Sequence, residues 1–178
     1  MITGKHIAET AIHSGLIGTP YSKMDCQAFV EEILKRAGMR IPNYRGSNHM
    51  WRDLVYDRNP VKGTADIPAG ALAFIVKNDG GEVKRGYHDD MGNATHVAIV
   101  IDSERVMEST TGGVQYGKLA RFSSFGLIKD VDYAKGGISD AGERPSMSDE
   151  ERIKTMIQIL KDNLAELEDC VNDIYRGS

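Results

Sequence analysis

Asp25-Cys26-Gln27-Ala28-Phe29-Val30-Glu31-Glu32-Ile33-Leu34-Lys35-Arg36-Ala37-Gly38 reads as an amphipathic helix that opens on a cysteine. Its apolar positions, Cys26, Phe29, Val30, Ile33, Leu34 and Ala37, follow the i, i+3, i+4, i+7, i+8, i+11 spacing of a helix that buries one face. Gly38 then suits the C-cap. A cysteine in the first turn sits at the positive end of the helix dipole, where unpaired backbone N–H groups favour the nucleophilic thiolate. The same position also suits a buried small hydrophobe. Choosing between the two readings requires partners elsewhere in the chain.

The helix sits in an α+β sequence. Residues 5–15 form a shorter amphipathic helix with Ile7, Ala8, Ala11 and Ile12 on one face, broken at Gly18-Thr19-Pro20. Residues 41–47 read as loop, and 48–56 as a helical turn or two around Trp51, Leu54 and Val55. Short apolar strands follow at 71–76, 96–101 and 105–109, with weaker ones at 113–116 and 127–133. Helices first and strands second predict an antiparallel sheet packed under N-terminal helices rather than βαβ units. The Gly/Asp/Asn-rich connection 77–95 is long for a hairpin, as functional loops often are.

A linker at 134–147 separates this body from a C-terminal helix opened by the capping box Ser148-Asp149-Glu150-Glu151. Ile153, Ile157, Leu160, Leu164, Leu167, Val171 and Ile174 repeat in a heptad seam, with Cys170 beside it. The seam predicts a two-stranded coiled coil and hence a homo-oligomer through 148–178; packing against the chain's own domain is the alternative.

Composition narrows the class. At 178 residues, 40% hydrophobic and 27% charged, the chain reads as a globular domain with an appendage. Eight of its 26 acidic residues but four of its 22 basic ones fall in 148–178, so the rest carries 18 of each. The formal net charge of −4 gives no hint of nucleic-acid binding, and none is expected. No segment reads as a signal peptide or a membrane span. Two cysteines without a CxxC pairing argue against a disulfide framework or a cysteine zinc site. His88-Asp89-Asp90 reads as solvated loop rather than as metal ligands, and no cofactor is expected.

A nucleophilic cysteine needs a base, and the base needs an orienting group. His96 opens a strand directly after the long loop. If Asp102 to Glu104 forms the hairpin turn with residue 101 facing 105, then Ala98 pairs with Glu108. His96, Ala98, Val100, Val106 and Glu108 then share one face, with Glu108 diagonal to His96. A slip of one residue would turn Glu108 away. In this register Glu108 can fix the tautomer of His96 and favour its imidazolium.

These residues bear a family resemblance. Asp25-Cys26-Gln27-Ala28-Phe29-Val30 resembles the D-C-S-G-F-V signature of the NlpC/P60 cell-wall peptidases, and Thr95 to Asp102 resembles that family's H-V-G-I-Y-L-G block. Gly18-Thr19-Pro20-Tyr21 is similar to its G-x-P-Y segment, and Pro68 to Phe74 to its P-G-D-L-V-F-F strand. The blocks occur in the family's order over residues 5–133 and exclude the heptad helix. The resemblance implies a papain-like α+β fold that cleaves bacterial peptidoglycan stem peptides, typically after γ-D-glutamate. It matches Cys26 to the nucleophile, His96 to the base and Glu108 to the third, polar residue, where family members more often carry His, Asn or Gln.

By the same resemblance, Tyr21 and Asp25 line the pocket near the substrate's amino end, although Asp25 also suits a helix N-cap. Gln27 and Ala28 replace the family's Ser-Gly at the edge of that pocket, and Ala71 replaces the acid of P-G-D-L. Related CHAP and lecithin-acyltransferase-like groups imply an amidase or transacylase as the alternative. A non-catalytic wall-binding or phage-tail assembly module built around the C-terminal helix is a third reading. Without an export signal, cytoplasmic synthesis with action at the wall, as a phage lysin or tail component, is expected. Sedimentation tests the heptad reading: the full chain should run as a dimer, and a chain ending at residue 147 as a monomer.

Overall fold

The computed structural model describes residues 1–64, 66–77, 87 and 89–133. The expected linker 134–147, the heptad helix 148–178 with Cys170, and positions 78–86 and 88 of the long loop lie outside the described residues.

The architecture is α+β, with helices packed on a six-stranded antiparallel sheet. α1 (Gly4–Ile12) and α2 (Cys26–Arg36) precede the main strands, which are β2 (Val55–Pro60), β3 (Leu72–Lys77), β4 (Asn93–Val100), β5 (Arg105–Thr110), β6 (Gly113–Lys118) and β7 (Ser124–Ile128). They lie in the order β2-β7-β3-β4-β5-β6. A two-residue parallel pair, β1 (Ile2–Thr3) with β8 (Val131–Asp132), ties the first residues to the strand that follows β7.

α2 is the central helix, and its ends are built as its sequence predicts. Asp25 caps it by accepting from the Ala28 N–H at 2.8 Å, a contact worth about 1 kcal/mol against alanine. At the other end Gly38 adopts φ +90°. The Met39 N–H then reaches the Leu34 carbonyl and the Gly38 N–H the Lys35 carbonyl, the two bonds of a Schellman motif. Phe29, Val30, Ile33 and Leu34 are fully buried, each contributing roughly 1.5–3 kcal/mol by leaving water. They join Val97, Ile99 and Met107 of the sheet in one cluster. A second cluster holds Leu119 and also Ala73, Ala98, Val100 and Val106, four residues on the strand faces opposite to those of the first cluster.

Several boundaries differ from the expectation. Residues 48–56 are helical only as far as Leu54, as a short α-turn at Ser47–His49 followed by a π-helical turn at Met50–Leu54; Val55 already begins β2. Arg58 enforces that ending from a distance, since its guanidinium donates to the Trp51 and Arg52 carbonyls at 2.6 Å each. Residues 127–133 are not one strand. Asp130 at φ +62° turns the chain between β7 and β8. β1 and β2 carry too little alternation to announce themselves as strands.

One close approach locks α1 to the sheet. Gly70, at φ +79°, lies so near the start of α1 that a Cβ there would sit 2.0 Å from the Gly4 carbonyl oxygen. The Tyr133 hydroxyl donates to the Gly70 carbonyl at 3.1 Å, fixing the same corner. Gly15, at φ +68°, has nothing within 4 Å of an added Cβ. Gly15→Ala should therefore cost only the left-handed backbone term, about 1 kcal/mol, whereas Gly70→Ala should cost about 3 kcal/mol or more through added overlap. Urea denaturation midpoints of the two variants check this ordering.

Candidate active site

Cys26 is the first residue of α2 and is buried. Three hydrogen bonds hold the segment before it. The Gly18 N–H donates to the Val114 carbonyl at 2.8 Å and the Val114 N–H to the Thr19 carbonyl at 3.0 Å, so the Gly18–Tyr21 segment runs beside β6. Gly113, at φ +91°, permits this approach, since its Cβ would lie 2.8 Å from the Thr19 carbonyl oxygen. The buried Ser109 hydroxyl of β5 donates to the Met24 carbonyl, two residues before Cys26. The helix start is thus bound to β5 and β6 through the chain leading into it.

β4 brings His96 to Cys26. The β3–β4 ladder pairs Ile75 with His96 but Val76 with Ala94, leaving Thr95 as a one-residue irregularity beside the histidine. Bulges of this kind re-aim a side chain next to a site. The β4–β5 ladder pairs Ile99 with Met107 and Val100 with Val106, and the Ile101 N–H meets the Arg105 carbonyl at 2.9 Å. This is the register expected from the Asp102–Glu104 turn. Asp102 builds that turn by accepting from the Glu104 and Arg105 N–H groups at 3.0 and 2.8 Å.

In that register Glu108 meets His96. Its Oε2 lies 2.7 Å from His96 Nε2, which leaves Nδ1 as the ring nitrogen for Cys26. The glutamate side chain is fully buried, and its Oε1 accepts from Arg121 Nη1 at 2.8 Å. Phe122 stacks on the imidazole, with centroids 5.8 Å apart and planes 26° apart.

Electrostatics follow this geometry. Burial by itself would lower the affinity of His96 for its proton, but hydrogen bonds and charge interactions with Cys26 and Glu108 outweigh burial and raise its pKa to about 9. Burial pushes Glu108 upward, yet His96 and Arg121 together hold its carboxyl below the usual range. The site therefore carries an imidazolium and a carboxylate at neutral pH.

Cys26 opens onto a groove of about 410 Å³, lined also by Tyr21, Asp25 and Gln27, by Arg45 to Asn48 and by Asn93 to Thr95. Tyr21 interacts with Cys26 through its hydroxyl; burial, then the Cys26 charge and hydrogen bond, raise its pKa. Asp25 borders the groove and is also the N-cap of α2. Gln27 borders it too, but its amide N–H groups are committed to the scaffold, donating to Glu31 Oε1 at 2.9 Å and to the Tyr44 carbonyl. The buried Glu31 also accepts from the Tyr44 N–H at 2.9 Å, tying the 41–47 loop to α2.

Residues that no motif had pointed to build the groove's other lining. The Ser47 hydroxyl donates to the Ala94 carbonyl at 2.6 Å, and Asn48 Oδ1 accepts from the Ala94 N–H at 2.8 Å. Arg52 pins the end of the long loop, with Nε and Nη2 on the two oxygens of Asp89 at 2.8 and 2.7 Å and its guanidinium over the Tyr87 ring. Its hydrogen bond holds the Asp89 carboxyl below the usual range. Asp89 is thus engaged by Arg52, while His88 lies outside the described residues. No group of three metal-ligating side chains occurs among the described residues. Nor is any helix among them long and apolar enough to cross a membrane.

The raised His96 pKa has two measurable consequences. An NMR titration of the ring should give a midpoint near 9 in the native chain, moving down in both Cys26→Ala and Glu108→Gln. Since His96 holds its proton more tightly when folded than its ordinary value of 6.5, the stability it adds is complete below that value. It is lost as pH rises through about 9. His96→Asn should flatten this loss between neutral and alkaline pH.

No family model and no curated protein matches the chain. Among solved structures, the chain is similar to a Staphylococcus aureus protein described as similar to lipoprotein, NLP/P60 family, at 18% identity and a TM-score of 0.45 over 70% of this chain. It spans only 41% of that protein's length. It is similar also to the NlpC/p60 domain of the peptidoglycan hydrolase SagA, at 22% identity and a TM-score of 0.48, over 71% of this chain and 98% of that domain.

Proposed function

We propose that the protein is a cysteine peptidase of the NlpC/P60 type that hydrolyses stem peptides of bacterial peptidoglycan, with Cys26 as nucleophile, His96 as base and Glu108 as the residue orienting His96. One observation carries the reading: a cysteine at a helix N-terminus, open to a groove, interacts electrostatically with an imidazole whose Nε2 is held at 2.7 Å by a buried carboxylate. The four sequence blocks that resemble this family support it. Bonds after γ-D-glutamate are the proposed target, and the Tyr21–Asp25 wall suits a substrate with a free amino end, where the carboxylate can pair with an ammonium.

In the proposed cycle the Cys26 thiolate attacks the scissile carbonyl carbon and the imidazolium of His96 stands beside it. The backbone N–H groups at the start of α2, including that of Cys26, face the developing oxyanion. His96 gives its proton to the leaving amine as the C–N bond breaks, leaving a thioester on Cys26. It then takes a proton from the water that hydrolyses that thioester. Glu108 keeps the ring in place throughout and stays ionised.

Cys26→Ala should abolish the release of new amino ends from purified peptidoglycan; retained release would overturn the reading. His96→Ala should lower kcat/KM by about 10³-fold or more, and Glu108→Ala by a smaller factor, about 10–100-fold, because it acts through the ring. Mass spectrometry of the digested muropeptides identifies the bond. Cleavage between D-glutamate and the next residue supports the endopeptidase, whereas release of the whole peptide from the glycan would assign the same three residues to an amidase.

A further inference from the structure

Arg121 and Gly117 lie outside every motif in the chain, and both act on Glu108. Gly117 sits on β6 opposite Val106, next but one to Gln115, the partner of Glu108. A Cβ at position 117 would lie 2.0 Å from Glu108 Oε1 and 2.8 Å from its Cδ. Its backbone is not in the left-handed region, so the missing side chain serves space alone: the carboxylate occupies the volume a larger residue would fill. Arg121 ends the single 3-10 turn Leu119–Arg121 that follows β6. It closes this space from outside, its side chain about half exposed while that of Glu108 is not exposed at all.

We propose that Arg121 is a positioning residue that forms one net-neutral unit with Glu108, and that Gly117 provides the cavity in which this unit is held. The inference rests on the reading of Cys26 and His96 as nucleophile and base. In the proposed pair a thiolate and an imidazolium cancel in charge; the buried glutamate beside them adds a negative charge, which among the described residues meets the Arg121 guanidinium. Left unbalanced, that carboxylate would bear its desolvation cost unrelieved. It would also hold the imidazolium proton too tightly for a group that must pass it to a leaving amine near neutral pH. Arg121 on Oε1 takes up part of the carboxylate's charge while Oε2 remains on His96. Glu108 then orients the ring with a moderated pull on its proton.

Among the described residues, the groups that face His96 from the surrounding elements are Cys26 of α2, Glu108 of β5 and, through Glu108, Arg121. Tyr21 adjoins Cys26, with Asp25 acting on Tyr21 through its charge. Phe122 on the ring face is uncharged. Replacing Arg121 therefore changes the charge on one side of the imidazole only.

The test needs no wall substrate. It reads the NMR titration of His96 and the rate at which iodoacetamide labels Cys26, in the full chain and in Arg121→Gln, Arg121→Lys, Glu108→Gln and Glu108→Gln/Arg121→Gln. Arg121→Gln should move the His96 midpoint to higher pH, and Arg121→Lys should keep it near that of the native chain, since one point charge on Oε1 is all the contact requires. Glu108→Gln leaves a cation beside the imidazole and should slow labelling at pH 7 about tenfold. Removing that cation as well should recover at least about threefold of the loss. A His96 titration that ignores Arg121→Gln, or a double variant no faster than Glu108→Gln, would overturn the proposal.

Gly117→Ala should bring the His96 midpoint down to that of Glu108→Gln; a folded variant with native titration would overturn the cavity's role. If that variant does not fold, Gly117→Ala/Glu108→Ala, which removes the overlapping carboxylate, should fold; a double variant that also fails to fold would overturn the cavity's role. A chain with these titrations that cleaves no peptidoglycan would refute the proposed reaction and keep this inference. Cleavage with a His96 that ignores Arg121 would do the reverse.

Discussion

Glu108 is a carboxylate with no exposed side-chain surface, on the third residue from the end of a strand. Much of the surrounding geometry answers the demand that such a group makes. A buried charge is tolerated only where its oxygens are hydrogen-bonded and its charge is met. Here one oxygen takes the His96 ring and the other the Arg121 guanidinium. Gly117 supplies the volume. The hairpin turn at Asp102 to Arg105 sets the register that aims Glu108 at His96, and a slip of one residue would place this charge on the opposite face of the strand.

β5 also reaches to the other side. Ser109, the next residue, holds the Met24 carbonyl and so fixes the chain that enters α2. Adjacent residues of one strand thus position Glu108 and the approach to Cys26. This is the economy of period-two alternation: consecutive side chains serve opposite faces of the sheet. The Cys26 position is then over-determined by its N-cap, by the buried stripe of α2 and by the Gly18–Val114 contacts beneath the preceding loop. Catalysis of the proposed kind needs such fixity, because a nucleophile and its base work only within a narrow range of separation.

The groove shows another use of the same logic. Where the resembling family has Ser-Gly after its cysteine, this chain has Gln27 and Ala28, and Gln27 spends its amide protons on Glu31 and the Tyr44 carbonyl. The groove's border is stiffened by a network rooted in a buried glutamate. Its further lining is stitched by Ser47 and Asn48 to the start of β4, and Arg52 anchors the end of the long loop beside it. Selectivity on the proposed substrate would therefore come from a border that is largely pre-formed.

The sequence by itself determined α2 and its caps, the three apolar strands and the register that joins His96 to Glu108. Each depends on local rules: a 3.6-residue stripe, a glycine at the C-cap, an Asx-type turn and strand alternation. It could not reveal β1, β2 or the division of 127–133, because Val55 and Asp130 are governed by Arg58 and by a left-handed turn rather than by pattern. Nor could it single out Arg121 and Gly117. An arginine in a short turn and a glycine in a strand look ordinary until the fold places both on one buried oxygen. Only tertiary structure decides that, since the requirement comes from a charge 13 positions away in sequence from the arginine that balances it.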